Sequence, residues 1–149
     1  MNRHSGFTVI ELMAVVAIVS ILAVVALAAY ADYAVRSKVA EGMAFVAEAK
    51  TSVTEYYYKS GEMPKSNELA GLLAPAAYDR YDHIRSLELS TRDPFGIITI
   101  TFKLPGSKAD NKELQLTPSI MKGIVFWKCT PAEENGIDVN QVPPNCRGS

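Results

Sequence analysis

Three hydropathy patterns follow one another along the chain. In the first, 22 of the 25 residues from 7 to 31 are hydrophobic, with Thr8, Glu11 and Ser20 as the exceptions. Within it, residues 12–31 run for 20 positions without a charge, Gly or Pro. A helix of that length spans roughly 30 Å, the thickness of a bilayer's hydrocarbon core. The run is apolar all round rather than striped, which excludes a surface helix of a globular domain. A core helix is disfavoured too, because a chain of 149 residues can rarely surround 20 apolar ones on every side. A cleaved secretory signal and a retained membrane segment remain. Arg3 and His4 could head a signal, and Ala26-Leu27-Ala28 fits the small-x-small cleavage pattern. The length of the run and Glu11 at its start favour a retained segment. Arg3 lies before it, and Arg36 and Lys38 lie close behind, so flanking charge does not set its orientation.

The second pattern has a helical period. Val35, Val39, Gly42, Val46, Ala49, Val53 and Tyr56 recur in alternating steps of four and three, with Lys38, Glu41, Glu48 and Glu55 on other faces. No Pro occurs before Pro64, so one helix is expected from about Phe7 to Lys59, roughly 80 Å long. Gly42 inside it costs about 1 kcal/mol relative to Ala. Gly61 and Pro64 end the helix, and Asn67 is placed to cap a short second helix through Leu73, stopped by Pro75. Tyr56, Tyr57 and Tyr58 could form a ligand surface, but aromatics at a helix end over a sheet are read as packing.

The third pattern has period two. Leu87 and Leu89, then Ile98, Ile100 and Phe102, then Leu114 and Leu116 alternate with polar residues, and residues 124–127 are apolar on both faces. Turn signals at Asp93-Pro94-Phe95-Gly96, Pro105-Gly106-Ser107 and from Pro118 to Gly123 separate them. Four short strands with brief links predict an antiparallel meander, covered on its apolar face by the striped helix half. The fold class is α+β.

Charge and composition narrow the function. With 15 basic and 16 acidic residues the formal net charge is −1, which argues against a dedicated nucleic-acid binder. The overall 48% hydrophobic content averages the apolar run with 124 remaining residues of ordinary soluble composition. His4 and His83 belong to no metal or triad spacing, and no phosphate-binding Gly loop occurs. No catalytic, cofactor-binding or metal-ligating residue is therefore assigned. Glu133, Glu134 and Asp138 around Gly136 lack the alternating spacing of a calcium loop. Cys129 and Cys146 could be two free buried thiols. They bracket a loop containing Pro131, Gly136, Pro143 and Pro144 behind an apparent export segment, which makes a disulfide the better reading. A disulfide places the C-terminal part in an oxidising compartment and the N-terminus in the cytoplasm.

Against that architecture, Gly6-Phe7-Thr8-Val9-Ile10-Glu11-Leu12-Met13 resembles the signature of type IV prepilins: Gly, Phe, three residues, Glu, then a long apolar stretch. The resemblance continues through Ala29 to Tyr33 and Val35 to Gly42. It returns at Ile97 to Phe102, Leu114 to Ser119, and Phe126 to Cys129 with Cys146. It is to the type IVa class and its major pilins. It implies a leader at 1–6, a transmembrane and filament-core segment at 7–31, and a globular headgroup at 32–149 with a disulfide loop at 129–146. A prepilin peptidase would cut between Gly6 and Phe7 and methylate the Phe7 amine. An inner-membrane assembly platform would lift subunits from the inner membrane into a homopolymeric cell-surface filament, in which Glu11 meets the Phe7 amine of a neighbour. The family's filaments support adhesion to host or abiotic surfaces, twitching motility and DNA uptake. Lys122, Lys128 and Arg147 are only a weak basis for the last. A minor pilin or pseudopilin acting as a membrane-anchored binding module is the alternative. On the residues alone, Thr8-Val9-Ile10-Glu11 also fits a helix capping box. Ser20 and Ala28 stand where many major pilins have Gly and Pro, so the helix here should run unbroken.

Overall fold

The computed structural model describes residues 6–91 and 95–148. Arg3 and His4 of the leader, and Asp93 and Pro94 of the first expected turn, lie outside the described residues. The chain divides into two compact units, Met1–Tyr33 and Ala34–Ser149.

One helix, α1, runs over Val9–Ser60 without interruption, as expected where Ser20 and Ala28 replace helix-breaking residues. Gly61, in the left-handed region at φ 79°, terminates it, and its amide donates to the Tyr57 carbonyl at 2.8 Å. The expected stripe is the buried one: Val35, Val39, Gly42, Val46, Ala49 and Val53. Gly42 has a packing role that offsets its low helix propensity. A Cβ there would lie 2.8 Å from a ring carbon of Phe102, so only Gly lets the helix settle onto the sheet at this point.

The sheet has four strands in the order of the chain, all antiparallel: β1 (Ile84–Leu89), β2 (Ile98–Phe102), β3 (Glu113–Met121) and β4 (Ile124–Pro131). Leu87 pairs with Ile100 and Ile100 with Leu114, which stacks the apolar positions on one face. A bulge between Ile84 and Ser86 shifts the alternation, so Ile84 points inward together with Leu87 and Leu89. These residues, with Ile98, Phe102 and Leu116, form the core under the helix stripe.

Two expectations are corrected. Residues 67–71 form a turn and 72–73 are irregular rather than helical, and the helical segment is a 3₁₀ stretch at Pro75–Arg80 that begins on the Pro expected to stop one. Asn67 is not a helix cap. It is buried, and its side chain bonds across to the sheet, donating to the carbonyls of Leu73 and Leu87 and accepting from the Leu89 amide, each at 2.8 Å. The turn expected from Pro118 to Gly123 is also shorter. β3 continues to Met121 with Pro118 inside it, and the chain reverses on Lys122 and Gly123, both at positive φ. Pairing of β2 with β3 ends at Leu116, so Pro118 lies in a two-stranded ribbon with an open edge, where Pro is tolerated.

Candidate assembly site

At its N-terminal end α1 is held by a reciprocal cap. The Thr8 amide and hydroxyl donate to Oε2 of Glu11 at 2.9 and 2.8 Å, and the Glu11 amide donates to the Thr8 hydroxyl at 3.3 Å. The capping-box reading of Glu11 is thus present in the structure, and Oε1 takes none of these bonds. Gly6 lies in open space, where an added Cβ would meet nothing within 4 Å, and Phe7 is 84% exposed. Behind them, every large apolar side chain from Val9 to Leu27 is exposed, and none of the most apolar stretch is buried. The helix is long and apolar enough to cross a membrane. Ser20 disposes of its hydroxyl inside the helix, donating to the Val16 carbonyl at 2.7 Å, so it remains compatible with an apolar surround.

In the globular unit, Cys129 and Cys146 are joined in a disulfide, with Cα atoms 4.5 Å apart. The loop they bracket is anchored by more than the bridge. Ile137, Val142 and Cys146 are buried in the core. Glu113 exchanges backbone bonds with Asn135 and Ile137. Gly136 sits so close to the chain that a Cβ would fall 2.3 Å from the Ala132 carbonyl oxygen. Arg36 on α1 reaches the Asn140 carbonyl at 3.0 Å. Asp138, one member of the acidic trio, caps a 3₁₀ turn by accepting from the Asn140 amide at 2.9 Å, while Glu133 and Glu134 are exposed. The side chain of His83 lies 3.5 Å from Glu41.

Tyr56 and Tyr57 are half-buried, in line with packing, but Tyr58 is 60% exposed and corrects that expectation for one of the three. It flanks a groove with Trp127, whose indole N–H donates to Thr54 at 3.3 Å. Sequence reasoning missed the buried role of Asn67 and the tether from Arg36. Neither leaves a periodic signal, because each joins segments distant in the chain.

The first half of α1 is an exposed apolar surface long enough to cross a membrane, and the second half packs on an antiparallel meander closed by a disulfide loop. Comparison with known proteins supplies the family. Residues 35–147 match the family of pilins, proteins of bacterial filaments, and residues 1–27 match the prokaryotic N-terminal methylation motif. A type IV major pilin protein of Neisseria gonorrhoeae is 35% identical over 157 residues, spanning 95% of this chain and 93% of that protein. Fimbrial protein EcpC of Eikenella corrodens is 36% identical, spanning 97% and 91% of the two chains. A fimbrial protein of Neisseria meningitidis serogroup A is 35% identical, spanning 95% and 93%. The chain belongs to the pilin family and is a structural subunit of a type IV pilus.

Proposed function

We propose that the chain is made as a membrane-anchored precursor, cut by a prepilin peptidase between Gly6 and Phe7, and methylated on the freed Phe7 amine. The globular unit then lies outside the membrane with the N-terminus in the cytoplasm. An inner-membrane platform extracts the subunits into a filament whose core is the bundled apolar helix halves. The observation that carries this reading is the fully exposed apolar helix half with one carboxylate, Glu11, at its start. Replacing lipid by neighbouring helices gains little hydrophobic energy, so packing and polar pairs must supply the specificity. A buried carboxylate is costly unless it meets a charge. The Phe7 amine of a neighbouring subunit supplies that charge, and the cap occupying only Oε2 leaves Oε1 to receive it.

The test is the N-terminal residue and mass of the protein recovered from cells. N-methylated Phe7 is expected; Ala29 or Met1 at the N-terminus overturns the processing. Gly6→Ala should accumulate uncut precursor, and because a methyl at that position touches nothing in the fold, the effect reports processing rather than folding.

A further inference from the structure

The outward face of the sheet changes character along its length. In the body of the sheet the outward positions are polar: Glu88, Thr99, Thr101, Glu113 and Gln115. Beyond Leu116, where β2 no longer pairs, β3 and β4 continue alone as a ribbon to the Met121–Ile124 pair. There the outward positions include Met121, Ile124 and Phe126, which are 58%, 53% and 45% exposed, and Ile120 at the tip is 46% exposed. A two-stranded ribbon with an open edge and a cluster of large apolar side chains in water is a surface that calls for a partner. Lys122 sits at its turn and Lys128 on its outward face, both exposed.

At the opposite edge of the sheet, beside β1, lies a cavity of about 650 Å³ whose lining includes Gly71, Leu72, Pro75 and Leu89 and the acidic residues Glu68 and Glu88. That volume falls within the range of roughly 300–1,000 Å³ for sites that enclose a ligand. Leu69 and Leu73 beside it are also exposed. Among the described residues neither Glu68 nor Glu88 is in an ion pair. An apolar, lysine-bearing projection on one edge and an apolar recess whose lining includes Glu68 and Glu88 on the other are complementary. They cannot meet within one domain, because three strand spacings, roughly 14 Å, separate the edges.

We infer that the tip of the β3–β4 ribbon of one subunit docks in the β1-side cavity of the next, placing Met121, Ile124 and Phe126 against its apolar wall and Lys122 against Glu68 and Glu88. Different patches on the two partners make the contact heterologous, and a heterologous contact that does not close propagates as a helical filament. The inference rests on the chain being a filament subunit, and it adds a second contact to that of the apolar helices.

Two experiments on the full chain in cells test it. In the first, Phe126 is replaced by a photo-crosslinking phenylalanine and sheared filaments are irradiated. A dimer-sized adduct whose linked peptide lies in residues 66–75 or 84–89 is expected. Linkage to another segment, to lipid or to a different protein overturns the proposal, as does no adduct in filaments visible by electron microscopy. Absence of filaments from the unsubstituted chain overturns the subunit reading itself, and this contact with it. In the second, Lys122→Glu should lower filament yield roughly tenfold through like-charge repulsion. Adding Glu68→Lys and Glu88→Lys to the same chain should restore it. Failure to restore yield, with subunit levels and melting unchanged, overturns the charge pairing.

Discussion

The two halves of α1 are built from much the same residues and used in opposite ways. In the first half Val15, Val16, Val19, Val24 and Val25 are all at least half exposed. In the second half Val35, Val39, Val46 and Val53 are at most 8% exposed. The chemistry of a valine is the same in both; what differs is what lies between the valines. The second half intersperses charges that commit its other faces to water, so one stripe suffices and the sheet covers it. The first half has no polar face, so no single partner surface can satisfy it, and its solvent must be lipid or several copies of itself. A helix can therefore carry two destinations along one backbone, provided that the composition changes and the helical geometry does not.

The comparison is most sharply broken by the same substitution in each half. Val46→Asp places an unpaired carboxylate under the sheet and should cost on the order of 4 kcal/mol, enough to threaten a typical domain. Loss of cooperative melting of the globular unit checks it. Val19→Asp, at a position 57% exposed, should leave that melting unchanged while lowering membrane retention. Equal melting losses from the two would remove the distinction.

Cys129→Ser should lower stability by about 3 kcal/mol, for a bridge between residues 17 apart in sequence. Limited proteolysis should then cut first within the loop, although the Glu113–Asn135 and Arg36–Asn140 bonds retain part of its order. Unchanged melting and protease resistance would show that those bonds suffice. Asn67→Ala removes three bonds from a buried position and should cost roughly 2–3 kcal/mol. Asn67→Asp keeps the acceptor for Leu89 but sets a buried carboxylate oxygen against the Leu73 and Leu87 carbonyls, and should cost at least as much as Asn67→Ala, read by denaturant unfolding.

The smallest effect is a pH dependence. Burial raises the Tyr78 phenol above its ordinary value of 10.0, with Leu73 pulling the other way and the charge of Glu48 adding to the rise. Since the folded state favours the neutral form, Tyr78 should contribute fully below pH 10 and progressively less as pH rises through the higher folded value. The stability difference between the wild type and Tyr78→Phe should therefore shift against the wild type in that alkaline window. A difference independent of pH would show that the phenol ionises as freely folded as unfolded.

Much of this molecule is legible in its sequence. The membrane-type run, the striped helix half, the four strands and the cysteine pair all rest on periodicity or composition, which are local and survive in the sequence. The reading failed where local and tertiary demands compete. Asn67 has the right chemistry for a helix cap, but two carbonyls and an amide of distant segments claimed its side chain. Pro118 signals a turn, yet the absence of β2 beside it lets the strand continue.

Which stretches must leave water, and with what period, is written in the order of residues, because burial of apolar area is additive along the chain. Gly6, Phe7 and Glu11 stand out in it through their resemblance to the prepilin signature. The meeting of Gly42 with Phe102, the run of β3 and β4 beyond the sheet, and the cavity lined by Glu68 and Glu88 at the other edge emerge on folding. Those features depend on which distant residues come together, and such proximity has no period to read.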